Sequence, residues 1–128
     1  MKTIVVGSGM IGASVAYHLA VRGAEVTVVT GERPGGIATA ASFAWINAAP
    51  GNSRPYFEFR LKAILDWHRL QHELDGSLEM NWNGSLWWED DMEAVEEKTW
   101  ESTSWGYPMR VVSRAEAREQ EPSLRQPP

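Results

Sequence analysis

The amino-acid sequence predicts an α/β fold that opens with a strand–helix–strand unit. Residues 3–6 are a short β-branched run, too short for a helix and typical of a buried strand. Apolar residues then recur at helical spacing over residues 10–22, and a second valine-rich run follows at residues 25–29, as expected of a buried parallel strand. This order predicts two parallel strands joined by a right-handed helical crossover.

Three glycines, Gly7, Gly9 and Gly12, follow the first predicted strand with the spacing G-x-G-x-x-G. Between a strand and a helix, this spacing is typical of a dinucleotide-binding loop. Gly7 permits the tight turn, Gly9 lets a pyrophosphate approach the backbone, and Gly12 lets the helix pack on the strand. The unpaired N–H groups at the start of the helix then face the phosphates. The alternative is a glycine-rich turn that serves packing alone, but the strand and the helix beside it favour a nucleotide site.

A long segment of small and turn-forming residues, 31–51, follows the second predicted strand. Long loops of this kind are usually functional or disordered. Because the segment also contains Phe43, Trp45 and Ile46, we expect it to be ordered and partly buried, with one helical turn near residues 39–43.

The second half of the chain predicts helices separated by short strands. The longest helix begins after Asn52 or Ser53, carries Pro55 in its first turn and ends before Gly76. A hairpin is predicted after it, with strands over 78–82 and 85–88 joined by an Asn-Gly turn. A helix over 89–104 and a strand over 109–112 follow. A capping box from Ser113 to Glu116 then opens a brief helix, which Pro122 stops.

Composition and charge exclude several classes of protein. The 128 residues carry a net charge of −5 with scattered Lys and Arg, so no nucleic-acid partner is expected. The absence of cysteine excludes disulfides, thiolate metal sites and a cysteinyl cofactor link. No stretch approaches the roughly 20 apolar residues of a membrane span, and the N-terminal apolar run is a strand rather than a signal peptide. We therefore predict a cytoplasmic protein without a membrane span.

Two groups of polar residues contain side chains of the types that bind metal ions. His68 and His72 lie four positions apart on the long predicted helix, but the inner Glu of an H-E-x-x-H site and a third ligand are missing. The acidic residues over 89–97 lack the loop of an EF-hand. We interpret both groups as solvated helix residues and predict no metal site.

Two segments carry a resemblance to a known family: MKTIVVGSGMIGASVAYHLAVRGAEVTVV and PGGIATAASFAWINA. They resemble the N-terminal portion of the flavin-dependent amine and amino-acid oxidoreductases, the superfamily of glycine oxidase, sarcosine oxidase and D-amino-acid oxidase or dehydrogenase. The resemblance implies a Rossmann-like FAD-binding domain and removal of a hydride from the CH–NH group of a small amine or amino acid. Because the chain lacks Cys and residues 31–51 lack His, we expect FAD to be held without a covalent bond.

By its position in this family, the cofactor site combines the glycine loop with the segment after the second strand. An acidic residue usually ends that strand and binds the adenosine ribose, whereas Thr30 takes its place here, with Glu32 two residues later. Thr30 and Arg33 also allow an NADPH-dependent reductase as the alternative, although the PGGIATAAS segment matches the flavin family. The residues expected to bind the cofactor are Gly7, Gly9, Met10, Ile11, Gly12, Thr30, Glu32, Arg33, Thr39, Ala40 and Ser42, and no catalytic residue is identified.

The resemblance also implies a domain organisation. Residues 1–78 would form part of the FAD-binding domain, and residues 79–128 the start of the substrate domain. Family members are about two to three times this length, as expected of two domains, and their substrate-binding side chains usually lie beyond position 128. We therefore expect a truncated oxidoreductase that is not active alone, with a subunit of a multi-chain flavoprotein as a further alternative. Five of the seven tryptophans lie between positions 82 and 105, either as core or as a surface for substrate, self-association or another subunit.

Overall fold

The computed structural model describes residues 1–31 and 33–124. The chain divides into two compact units, Met1–Trp45 and a second that begins at Ile46. These units reflect packing, and the functional boundary between residues 78 and 79 stays a prediction. In chain order the elements are strand β1 (Lys2–Val6), helix α1 (Met10–Val21), strand β2 (Glu25–Val29), helix α2 (Ile37–Ala40), helix α3 (Arg54–Glu73), helix α4 (Met92–Ser104) and helix α5 (Arg114–Gln120).

The first unit contains the predicted strand–helix–strand arrangement. Strands β1 and β2 pair in parallel, with Lys2 opposite Glu25, and α1 packs on both. The prediction that the strands are buried is wrong, because the side chains of Ile4 and Val6 are 69% and 83% exposed. Within the described residues the sheet has two strands, so apolar side chains that a wider sheet would cover face solvent.

Helix α1 ends just before a glycine, Gly23, which follows its C-cap residue. Gly23 has a φ of +82°, in the left-handed region that glycine adopts without strain. Its N–H donates to the carbonyl of Ala20 at 2.9 Å, and the N–H of Ala24 donates to the carbonyl of Leu19 at 3.0 Å. These two bonds form a Schellman motif, which satisfies the last carbonyls of the helix and turns the chain toward β2.

Helix α2 is the single helical turn expected in the long segment, but it begins two residues earlier than predicted, at Ile37. Its N-cap, Gly36, has a φ of +65°, so the chain enters the turn through a conformation that favours glycine. Farther along the same segment Ala48 is completely buried, so part of residues 31–51 is buried as predicted. Two of the apolar residues on which that prediction rested are exposed, however: Phe43 is 85% exposed and Trp45 is 46% exposed.

Helix α3 contributes a buried aromatic residue, Phe57, to the core of the second unit. Ser53 is its N-cap and Pro55 lies in its first turn, as predicted. Phe57 is 2% exposed, and its ring centroid lies 5.1 Å from that of Trp105 and 6.1 Å from that of Tyr107. Among the described helices, α3 included, none has both the length and the apolarity needed to cross a membrane.

The hairpin predicted over residues 78–88 is wrong, because no strand is formed there or over residues 109–112. Gly84 does adopt the positive φ of a turn, at +80°, but no ladder of hydrogen bonds flanks it. Side chains of α3 hold this segment instead. Gln71 accepts a hydrogen bond from the indole N–H of Trp82 at 2.8 Å and donates to the carbonyl of Leu78 at 3.4 Å.

Helix α4 begins three residues later than predicted, at Met92, because Asp91 is its N-cap. A side-chain oxygen of Asp91 accepts the N–H of Glu93 at 3.0 Å, which satisfies one of the donors that a helix start leaves unpaired. Lys98 of α4 pairs with Glu89, so Glu89 lies outside the helix and still stabilises it.

Helix α5 opens with the predicted capping box. The hydroxyl of Ser113 accepts the N–H of Glu116 at 3.2 Å, and a carboxylate oxygen of Glu116 accepts the N–H of Ser113 at 2.8 Å. The backbone N–H of Ser113, followed by the side chains of Arg110 and Ser113, lowers the pKa of Glu116 below its ordinary value of 4.5. The carboxylate form is therefore the one that caps the helix.

The cap should accordingly depend on pH. Because the folded pKa of Glu116 lies below the unfolded value, its contribution is fully present above about pH 4.5 and is lost as pH falls through the folded pKa. We expect the amide NMR signals of Ser113 and Glu116 to move toward random-coil positions below that pH. Glu116→Gln, which keeps an acceptor but not the charge, should remove this titration. A pH response that persists in Glu116→Gln would assign it to another group.

Candidate functional site

The glycine loop connects the end of β1 to the start of α1. Gly7 has a φ of +101°, so the tight turn requires glycine for its conformation, although the space around its Cα is open. The N–H of Gly7 donates to the carbonyl of Val29 at 2.8 Å. This bond extends the parallel pairing by one residue and holds the loop against the end of β2.

Gly12 brings the first turn of α1 against that loop. A Cβ at this position would lie 2.1 Å from the carbonyl oxygen of Gly7 and 2.9 Å from its carbonyl carbon. Both contacts are with backbone, which cannot move aside as a flexible side chain would. The third glycine of the fingerprint therefore has the packing role that its spacing predicts.

The N-terminus of α1 is capped from a distant part of the chain. Its N-cap, Gly9, has no side chain, and Thr39 of α2 replaces it: Thr39 Oγ1 accepts the N–H of Met10 at 3.0 Å. A Cβ on Gly9 would lie 3.2 Å from the same oxygen. The N–H groups of Ile11 and Gly12 belong to the same first turn, where a helix offers them no internal acceptor.

A cleft of about 610 Å³ opens at this helix start. Seven of the residues predicted to bind the cofactor line it, and they are joined by four that the prediction missed. The predicted ones are Gly7, Gly9, Met10, Ile11, Gly12, Thr39 and Ser42, and the missed ones are Val5, Val6, Val15 and Ala38. The missed residues are apolar members of β1, α1 and α2, and they carry no sequence signal beyond being adjacent to the motif.

Two more of the predicted residues, Arg33 and Ala40, line a second cleft of about 340 Å³ with Gly36, Ile37 and Ala41. The structure therefore separates them from the glycine loop residues, although both clefts are lined by α2. Glu32, which was predicted to stand near the adenosine, lies outside the described residues.

Thr30 follows β2 directly and faces the glycine loop. Thr30 Oγ1 accepts a hydrogen bond from the hydroxyl of Ser8 at 3.1 Å. The backbone carbonyl of Ser8 in turn accepts the N–H of Gly35 at 3.1 Å. The sequence prediction did not include Ser8, which occupies the variable position between the first two glycines. Its place inside the glycine motif is the only sequence signal that could have indicated a role for Ser8.

The main cleft is suited to an anion that is held by backbone dipoles. None of the described residues that line it is ionisable, and the first turn of α1 contains no acid. The start of a twelve-residue helix carries a partial positive charge of about half a unit. A diphosphate fits this arrangement, because unpaired N–H groups and the helix dipole both favour negative charge at a glycine-lined surface.

The histidines of α3 are arranged differently from a metal site. The ring of His68 stacks on Trp82 with 3.7 Å between centroids. Across residues 1–31 and 33–124, no group of three potential His, Asp or Glu ligands comes together.

Comparison with known proteins identifies the family. Residues 2–127 match the family described as FAD dependent oxidoreductase. The chain is 38% identical to the glycine oxidase of Bacillus licheniformis over 74 residues, which cover 56% of this chain and 20% of that protein. It is 54% identical to the uncharacterized oxidoreductase YurR of Bacillus subtilis (strain 168) over 39 residues, which cover 30% of this chain and 10% of that protein. These alignments span a fifth or less of the length of either relative, whereas the family match covers nearly the whole chain. The chain therefore belongs to the FAD-dependent oxidoreductases, a family whose cofactor is FAD.

Proposed function

We propose that this chain forms the cofactor-binding end of an oxidoreductase that acts on the CH–NH group of a small amine or amino acid. The observation that carries the proposal is the start of α1, where glycine backbone, unpaired N–H groups and the hydroxyl of Thr39 border one uncharged cleft. The similarity to a glycine oxidase supports the amine substrate class. The match to an FAD-dependent family favours FAD over the NADPH alternative.

In this proposal, each part of the site binds a different part of the cofactor. Gly7, Gly9 and Gly12, with the N–H groups of Ile11 and Gly12, bind the pyrophosphate. Met10 contributes apolar surface and the first backbone donor of α1. The adenosine lies near Thr30, Glu32 and Arg33, and the segment with Thr39, Ala40 and Ser42 approaches the diphosphate or the flavin.

When bound, FAD supplies the acceptor for the hydride that leaves the substrate carbon. The residues of this chain bind and orient the cofactor without a covalent bond, since the chain has no cysteine and residues 31–51 contain no histidine. Those that line the main cleft within the described part of the chain are neutral, so they add no carboxylate that would repel the diphosphate.

Catalysis in this proposal requires more polypeptide than the two described units provide. The two-stranded sheet leaves apolar side chains exposed to solvent. Among the described residues of the second unit, few hydrophobic residues are buried, namely Ala48 and Phe57. Trp100 is 73% exposed, a surface on which further chain, another subunit or a second copy could pack. Incubated with FAD, amines and a dye acceptor, the 128-residue chain should therefore show no turnover.

Binding of FAD tests the proposal directly. Titration of FAD with the purified chain should quench flavin fluorescence, and acid precipitation should release all the flavin into the supernatant. Gly9→Val should abolish the quenching, because even its Cβ lies 3.2 Å from Thr39 Oγ1 and the added methyl groups enter the cleft. Gly31→Val is the matched control, since a Cβ at Gly31 meets nothing within 4 Å.

Three results would contradict the proposal. They are binding of NADPH without FAD, flavin that stays in the acid pellet, and steady amine oxidation by a confirmed 128-residue species. The first would revive the reductase alternative, the second would show a covalent link, and the third would show that these residues suffice for catalysis.

A further inference from the structure

We propose that Ser8 binds the adenosine ribose and that Thr30 orients it, so that a neutral hydroxyl pair replaces the carboxylate usual at the end of the second strand. As a consequence, the site accepts adenine nucleotides that carry a phosphate on the ribose as well as unmodified ones. This inference rests on the proposed function, because it assigns one part of the same FAD site.

The position of the pair is the first argument. Ser8 follows β1 by two residues and Thr30 follows β2 by one, so both lie at the carboxyl ends of paired parallel strands. In dinucleotide-binding βαβ units, the residue that recognises the ribose lies about 20 residues beyond the glycine motif at the end of the second strand. Thr30 stands eighteen residues after Gly12, which is that place.

The acceptor capacity of Ser8 is the second argument. The hydroxyls of Ser8 and Thr30 form a hydrogen bond with 3.1 Å between the two oxygens. Whichever hydroxyl donates, Ser8 Oγ keeps at least one acceptor lone pair, and a ribose hydroxyl can donate to it. The backbone of Ser8 is fixed as well, since its carbonyl accepts the N–H of Gly35 at 3.1 Å. The oxygen of Ser8 is therefore held in place before any ligand arrives.

The charge of the pair gives the specificity. A carboxylate in this place would accept ribose hydroxyls strongly and repel a phosphate on the same ring. Two hydroxyls accept more weakly and repel nothing. Arg33, three residues beyond Thr30, lines the second cleft and adds a positive charge to the same segment. The hydroxyl pair thus reduces affinity for FAD and removes the electrostatic barrier to a phosphorylated ribose.

A double-mutant cycle with FAD tests the pairing. Ser8→Ala and Thr30→Val should each raise the Kd for FAD roughly 2- to 12-fold, the range for one neutral hydrogen bond. The double variant should have a Kd for FAD no higher than that of the weaker-binding single variant, because each single change already breaks the Ser8–Thr30 hydrogen bond. Thr30→Ser, which keeps the acceptor, should bind like the wild type. Thr27→Val on β2 is the control for removing a threonine hydroxyl, and far-UV circular dichroism shows which variants are folded.

Two soluble probes test the specificity. In competition with FAD, AMP and adenosine 2′,5′-bisphosphate should bind the wild-type chain within about 3-fold of each other, because neither hydroxyl of the Ser8–Thr30 pair repels the second phosphate. Thr30→Glu should tighten FAD and shift the ratio against the bisphosphate by about 10-fold or more.

The outcomes separate this inference from the proposed function. No binding of FAD by the wild-type chain would overturn both. Normal FAD binding that is unchanged in folded Ser8→Ala and Thr30→Val would overturn the inference alone, as would effects that add fully in the double variant. Exclusion of the bisphosphate by the wild-type chain would also overturn the inference, because it would show that an acidic group lies beside the ribose.

Discussion

Gly12→Ala should abolish FAD binding and destabilise the first unit by about 3 kcal/mol or more, the upper end of the cost of overpacking. The added Cβ would lie 2.1 Å from the carbonyl oxygen of Gly7, so either α1 or the glycine loop must shift. A shift of either separates the N–H groups of the first turn from the loop that faces them. Urea unfolding followed by circular dichroism, and FAD titration of the same samples, measure the two effects.

Gly31→Ala provides the comparison for the same chemical change. A Cβ at Gly31 meets nothing within 4 Å, and its φ lies outside the left-handed region. This variant should therefore unfold at the same urea concentration as the wild type. Equal stability of Gly12→Ala and Gly31→Ala would contradict the close packing of α1 on the glycine loop.

Phe57→Ala should have the largest effect in the second unit, about 3–5 kcal/mol, the usual cost of removing a buried phenylalanine ring. Phe57 is 2% exposed and packs against the rings of Trp105 and Tyr107. Few hydrophobic residues in this unit are buried as deeply, so little else can maintain the contact between α3 and the segment after α4. Loss of the cooperative urea transition of tryptophan fluorescence would report the effect.

Phe59→Ala removes the same side chain two residues along the same helix. Phe59 is 66% exposed and stacks on Tyr56 with 6.4 Å between ring centroids, so its loss should cost about 1 kcal/mol or less. A cost for Phe59→Ala equal to that for Phe57→Ala would show that burial of the Phe57 ring does not determine the stability of the unit.

The parts of the structure that depend on local chemistry could be predicted from the sequence. Gly23 ends α1 because only its left-handed conformation matters, and Ser113 with Glu116 forms a capping box because the two residues lie three positions apart and bond each other at the start of α5. The roles of Gly7 and Gly12 were predictable for the same reason, because the turn and the close contact between these two residues are local. Each of these features is determined within a few residues of the chain.

The features that could not be predicted depend on distant partners. Asn83 and Gly84 suit a hairpin turn, but strands also need matching edges, and here Gln71 of α3 bonds Trp82 instead. The hydrogen bond from Met10 to Thr39 joins residues 29 positions apart. Neither bond leaves a pattern in the sequence, because a Gln or a Thr on a helix is compatible with many partners.

The connections that hold the glycine loop have a consequence for biosynthesis. Its hydrogen-bond partners among the described residues, Val29, Thr30, Gly35 and Thr39, all come from the first 39 positions, and the main cleft is complete at Ser42. Loops this short close at modest entropic cost, and domains form in order as the nascent chain leaves the ribosome. The nucleotide cleft can therefore assemble while the residues that follow Ser42 are still being translated.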